Sequence, residues 1–285
     1  MNQIFKSVLL LSAVGAALSG LLLLLKPITR KAFGSTWQYY IWLLVLIIML
    51  LPVQFDRLLK TEATPFLTSA APSVMPLENI QPQRQDGSTQ QEIPLQAPVQ
   101  ERNIHIRGIN LNIIDVLILL WMLGSAIFLF GAVISYIRFI HILRNHSTLI
   151  SCSALECIKA KKHIKRNIRV RRTNLLTAPL MVGLIRPVLL LPDAPLEKEE
   201  LNYILLHELT HFKRHDLWYK WFALLVNAIH WFNPVLYFVV RQINQECELS
   251  CDLSVTKQMS IEEKKGYMNT IIGLAARKKG GTVNV

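Results

Sequence analysis

Three long apolar runs constrain this chain more than any other feature. Phe5 to Leu25 is apolar apart from Lys6 and a few small residues. Trp37 to Val53 forms a second run, and Ile113 to Ile137 a third with only Asp115 charged. Each approaches the roughly 20 residues that a helix needs to cross a bilayer. The first run has a basic start at Lys6 and small residues from Ala16 to Gly20, as a signal peptide does. It nevertheless continues through five leucines to Lys26 with no clear small-x-small cleavage site, so it reads as a retained span.

The net charge of +12 is unevenly spread, and that sets a topology. Lys26, Arg30 and Lys31 follow the first run with no acid among them. The long segment Gln54 to Asn112 carries nearly equal numbers of acids and bases. After the third run comes a dense basic block, including Arg138, Arg144, Lys165, Arg166, Arg169 and Arg171, opposed by Glu156 alone. Basic residues stay on the cytoplasmic side. The pattern predicts an outside N-terminus, a multi-pass membrane chain, and a cytoplasmic C-terminal part. The expected divisions are 1–53 (two spans and a short inner loop), 54–112 (outer loop), 113–137 (third span) and 138–285 (cytoplasmic domain). The outer loop is rich in Pro, Gln, Ser and Thr from about 61 to 100, a composition that cannot bury a core.

The basic block directly follows a span and has no aromatic interleaving. Attraction to anionic headgroups therefore explains it better than nucleic acid, and no direct nucleic-acid partner is expected. Cys152, Cys157, Cys247 and Cys251 all fall in the cytoplasmic part, where disulfides are not expected. Cys247 and Cys251 share a helix face, but lack the two paired short spacers of a structural zinc site and read as small buried residues.

Within the cytoplasmic part, the third helix should continue to about Asn145. Arg169 to Thr173 alternates like a strand. Pro179 to Pro187 and Val188 to Pro192 read as two strands around a turn. Pro179 and Pro187 each remove a backbone donor, so at least one of these strands should be an edge. Such an edge can accept an extended peptide as an added strand. Pro195 in a first turn, with Glu197, Glu199 and Glu200 close behind, signals a helix start at Asp193 or Ala194.

That helix carries His207-Glu-Leu-Thr-His211. Two histidines four apart lie on one face and can meet one ion. Glu208, rotated by one residue, flanks the ion and can take a proton from a polarised water. A catalytic zinc needs a third protein ligand and an open position. His215, His230, Glu246, Glu248 and Asp252 are the candidates. One straight helix cannot wrap three consecutive turns around an ion, so His215 reads as solvated or as an outer partner. Glu248 and Asp252 share a face four residues apart. Glu248 suits a zinc ligand, with Asp252 accepting a hydrogen bond from a ligating histidine. Leu217 to Val240 is long and apolar, and a single crossing there would separate Glu248 from His207. Pro234 argues instead for a hairpin at 217–240, broken near Trp231 to Pro234 and buried or dipping into the inner leaflet.

The stretches His207-Glu-Leu-Thr-His211, Lys213-Arg-His-Asp216, Asn227-Ala-Ile-His-Trp-Phe-Asn-Pro234 and Cys247-Glu-Leu-Ser-Cys-Asp252 together resemble the β-lactam sensor-transducers. These are bacterial integral-membrane zinc metallopeptidases that derepress penicillinase and methicillin-resistance genes. The resemblance covers essentially the whole chain. It implies a mostly α membrane protein: three transmembrane helices, then a cytoplasmic α+β gluzincin-like domain with a small edge-exposed sheet. It also implies His207, His211 and Glu248 as zinc ligands, Glu208 as base and Asp252 as outer partner. The implied substrate is a cytoplasmic protein, a transcriptional repressor or the chain itself. The family's C-terminal sensor domain and its fourth span have no counterpart before Val285. Ser254-Val-Thr-Lys257 mimics the Ser-x-x-Lys of a β-lactam nucleophile but lacks the motifs that complete such a site. A separate sensor partner, or a truncated, non-enzymatic membrane transducer with a structural or silent zinc site, is the alternative expectation.

Overall fold

A computed structural model of the chain describes residues 2–51, 103–106 and 109–280. The greater part of the expected outer loop, with its low-complexity stretch, lies outside the described residues. Helices α1 (Asn2–Ala32) and α2 (Ser35–Leu50) come first. A hairpin of β1 (Asn103–Ile106) and β2 (Ile109–Asn112) leads into α3 (Ile113–Asn145). Then follow β3 (Ser147–Ile150), α4 (Ser153–Lys161), β4 (Arg169–Thr173), β5 (Leu180–Val182) and β6 (Val188–Pro192). Four helices close the chain: α5 (Lys198–Lys213), α6 (Asp216–Ile229), α7 (Pro234–Thr256) and α8 (Ile261–Gly280).

Among the described residues two helices, α1 and α3, are long and apolar enough to cross a membrane. At 16 residues α2 is shorter, and its buried side chains form part of a core. Tyr39, Trp42, Leu46 and Met49 pack against Tyr219 and Val226 of α6 and Leu236 and Ile243 of α7. The α6–α7 hairpin is thereby wedged among the apolar helices. At its tip Asn233 Nδ2 donates to Ser12 Oγ at 2.8 Å, and Trp121 Nε1 donates to the Ile229 carbonyl at 2.8 Å. Gly124 allows this approach, because a Cβ there would run into the Trp231 ring. At its other end Lys26 of α1 pairs with the fully buried Glu246 of α7 at 2.8 Å. Ser12 and Lys26 are about 21 Å apart along α1 at 1.5 Å per residue, so the hairpin runs beside a little under half of that 31-residue helix.

The sheet has strand order β3-β4-β6-β5, with β4 and β6 parallel and the outer pairs antiparallel. Both β3 and β5 are edges among the described residues. One face carries Val170, Leu189 and Leu191 against Ile204, Leu205 and Leu209 of α5. The other carries Val182 and Leu190 against Leu143 of α3. The turn from β5 to β6 needs Gly183, at φ 88°, where a Cβ would meet the Arg186 carbonyl.

The start of α5 differs from the expectation drawn from Pro195. The helix begins at Lys198, with Glu197 as N-cap. Glu200 accepts a hydrogen bond from the Glu197 N–H at 3.3 Å. This reciprocal cap outcompetes the proline signal. Truncating Leu205 or Leu209, both fully buried between sheet and helix, should cost about 2–5 kcal/mol.

Candidate metal centre

His207 and His211 leave α5 on the side away from the sheet, and α7 and α8 cover them. Their Nε2 atoms lie 3.0 Å apart. Glu248 Oε2, projecting from α7, sits 3.3 Å from His211 Nε2 and 3.6 Å from His207 Nε2. A tetrahedral zinc with bonds of about 2.0–2.1 Å would hold its ligand atoms roughly 3.3–3.4 Å apart. Three donors with edges of 3.0, 3.3 and 3.6 Å fit that figure without rearrangement. Glu248 Oε1 is turned the other way, 3.5 Å from Lys220 Nζ.

The opposite ring nitrogens are already engaged. His207 Nδ1 lies 2.7 Å from Tyr267 Oη and 3.3 Å from Asp252 Oδ1, and Tyr267 donates to that same Asp252 oxygen at 2.6 Å. His211 Nδ1 lies 2.7 Å from Asp216 Oδ2, and Tyr39 Oη donates to Asp216 Oδ1 at 2.8 Å. Each histidine is thus backed by a carboxylate that is itself held by a tyrosine, an arrangement that fixes tautomer and ring orientation. Asp216 reaches back to His211 because His215 between the helices takes a left-handed φ of 61° and reverses the chain. His215 itself is exposed.

Cys247 and Cys251 are fully buried beside the same rings and form two further donor groupings, His207–His211–Cys251 and His211–Asp216–Cys247. Their sulfurs approach the Nδ1 side, at 3.8 Å from His211 and 3.9 Å from His207. Those nitrogens are committed to Asp216 and Tyr267, whereas both Nε2 atoms and Glu248 open on a cleft with Glu208. The cleft-facing set is therefore the better-formed site.

Electrostatics point the same way. Burial disfavours charge on His207, but hydrogen bonds to Asp252, Cys251 and Glu248 together outweigh it and carry its pKa up to about 11. His211 is likewise opposed by burial and raised further by Asp216 and its other partners. Glu248 is opposed by burial and held far below the usual carboxylate range by the two histidines. The protein part of this site is arranged around concentrated positive charge. Burial pushes the Glu208 carboxyl upward, toward the range useful to a proton carrier.

The cleft holds about 370 Å³, with His207, Glu208, His211 and Glu248 on one wall. Pro179, Leu180 and Met181 of the β5 edge line the other wall, and Trp218 and Lys220 line it from α6. Sequence reasoning named the motif residues, Glu248 and Asp252. It missed Asp216, Lys220, Tyr39 and Tyr267 as site residues. Asp216 could have been found as the acid just past the helix end. The tyrosines carry no local signal.

A mostly helical chain with membrane-length helices and paired histidines beneath the edge of a small sheet defines a class of membrane-associated peptidase frameworks. This chain belongs to the BlaR1 peptidase M56 family, whose model matches residues 6–285. It is 24% identical over 265 residues to regulatory protein BlaR1 of Bacillus licheniformis, covering 91% of this chain and 44% of that protein. It is 28% identical over 180 residues to the methicillin resistance mecR1 protein of Staphylococcus aureus (strain Mu50 / ATCC 700699), covering 61% and 31%. Against regulatory protein BlaR1 of Staphylococcus aureus the identity is 23% over 261 residues, 88% and 43% of the two chains. The chain spans less than half the length of these relatives.

Proposed function

We propose that the chain is a membrane-embedded zinc endopeptidase of a signalling system, cleaving a cytoplasmic repressor, itself, or both. The observation that carries this reading is the triangle of His207 Nε2, His211 Nε2 and Glu248 Oε2, opening with Glu208 onto a cleft under an edge strand. In this reading His207, His211 and Glu248 hold the ion. When bound, zinc supplies Lewis acidity toward a scissile carbonyl and a water molecule. Glu208 takes the proton of the attacking water and passes it to the leaving nitrogen. The β5 edge pairs with the substrate backbone and sets its direction across the cleft. Asp252 with Tyr267, and Asp216 with Tyr39, hold the imidazoles.

The names of the relatives support a regulatory role connected with antibiotic resistance. A three-span topology with a cytoplasmic peptidase domain is part of the proposal, with α2 as the second span. The Lys26–Glu246 pair supports it, because it joins the inner end of α1 to the helix bearing Glu248. The hairpin of α6 and α7 would then dip into the bilayer from the cytoplasmic side.

The test is cleavage of candidate repressor and of the chain itself in lipid nanodiscs, with Glu208→Gln beside wild type. The reading expects zinc retained and cleavage reduced by about 10²–10⁴-fold. Full signalling by Glu208→Gln would instead establish a non-enzymatic transducer.

A further inference from the structure

The sheet has a second cavity on the face opposite α5, of about 330 Å³, within the range of small-ligand sites (about 300–1,000 Å³). Its floor is apolar, made by Ile140 and Leu143 of α3 with Val182 and Leu190 of the sheet. Its walls carry five arginines: Arg144, Arg166, Arg169, Arg171 and Arg186. Among the described residues, no acidic residue lines it. The arginine ion pairs among the described residues are those of Arg172 with Asp193 and Arg214 with Asp216, and neither is here.

The register explains the convergence. Arg169 pairs with Val188 and Arg171 with Leu190, so both point to the face that α3 covers. Two of the five are fixed in place. Arg171 donates to the Ser147 carbonyl at 2.6 Å and to Ser147 Oγ at 2.7 Å, and Arg166 donates to the Ile185 carbonyl at 2.6 Å. Arg169 and Arg186 are exposed. Five like charges around one cavity repel each other, and a bound anion relieves that repulsion. Guanidinium matches phosphate oxygens through paired hydrogen bonds.

The cavity's position indicates which phosphate. Arg144 lies six residues beyond Arg138, where the apolar run of α3 gives way to charge, or about 9 Å along the helix. That is near the depth of the headgroup layer. At the rim, Ile185 is 72% exposed at the tip of the β5–β6 turn. An exposed isoleucine beside arginines suits a surface where acyl chain meets headgroup.

We propose that this cavity binds the phosphate headgroup of an anionic phospholipid of the inner leaflet. The site rests on α3 being a membrane span and is independent of the zinc chemistry. It also touches the substrate edge: Gly183 lines both cavities, and its N–H donates to Tyr136 Oη of α3 at 3.1 Å. A lipid held here would brace the turn that ends β5.

The experiment counts phospholipid retained by the delipidated full chain in neutral detergent, by native mass spectrometry. The probes are phosphatidylglycerol, phosphatidylcholine and inorganic phosphate, each added alone. Wild type should keep one phosphatidylglycerol per chain, at least tenfold tighter than phosphatidylcholine. The Arg169→Gln/Arg186→Gln double variant should lose at least tenfold in that affinity. The charge-matched control Arg172→Gln/Lys257→Gln should lose less than twofold. If the first double variant does not fold, each single change should lose several-fold. Equal losses in test and control variants would reduce the effect to general surface charge and overturn the site. Inorganic phosphate binding as tightly as phosphatidylglycerol would overturn the lipid assignment. Release of wild type from membranes by alkaline carbonate would remove the span reading itself; retention in the membrane with equal losses removes the pocket alone.

Discussion

His207 and His211 stand one helical turn apart and meet at 3.0 Å, yet they are supported from different parts of the molecule. The supports of His207, Asp252 and Tyr267, come from α7 and α8 beside it. Those of His211 are Asp216, only 2% exposed, and Tyr39 of α2, 177 residues away from Asp216 in sequence. Arg214 adds to the second set, lying 3.4 Å from Asp216 and over the Tyr39 ring. The same carboxylate–tyrosine device thus holds one histidine against the neighbouring C-terminal helices and ties the other to the apolar helix bundle. A shift of α2 has a direct route to one side of the site and none of comparable directness to the other.

Four predictions test that contrast, from the largest effect to the smallest. His207→Ala and His211→Ala should each abolish zinc retention by metal analysis, because the two rings are equal as donors. A variant that kept zinc would break the symmetry at its base. Asp216→Asn should weaken zinc affinity by about 100-fold and Asp252→Asn by about 10-fold, in chelator competition. The larger loss is expected where the acid is more deeply buried and also serves Arg214.

The third concerns pH. With its pKa raised from 6.5 to about 11, His207 in the metal-free fold keeps its proton near neutrality. Zinc must displace it, so affinity should rise between pH 6 and 9, by up to about tenfold per unit for each proton released. The same shift favours the metal-free fold fully below pH 6.5, and that contribution is lost as pH climbs through about 11. Titrations at three pH values check the slope. The smallest effect separates the tyrosines. Tyr267→Phe should weaken zinc a few-fold, equally in detergent and in nanodiscs. Tyr39→Phe should do so to a degree that differs between the two media, because its helix packs in the apolar bundle.

What could be read in the sequence was local. The histidine pair, the flanking Glu208 and the Glu248–Asp252 face all follow from helical spacing within one element. The edge strand followed from Pro179 and Pro187. The strand β3 and helix α4 went unread because they are only 4 and 9 residues long and no side chain caps the start of α4. The start of α5 was placed too early because Pro195 is a strong local signal and the Glu197–Glu200 cap a weaker-looking one. Tyr39 and Tyr267 could not be read at all. Their roles arise when helices far apart in sequence pack side by side, and nothing in their own neighbourhoods marks them. The arginine cavity was visible only as a charge run. Its convergence depends on strand register, which places Arg169 and Arg171 on one face.

The most direct measurement is zinc per chain in the purified protein, wild type beside Glu248→Ala, with folding checked by circular dichroism. The account predicts about one zinc in wild type, from a site with one open position, and its loss in the variant. Zinc retained at full occupancy in Glu248→Ala would contradict it, and would move the ion to the cysteine side of the histidines.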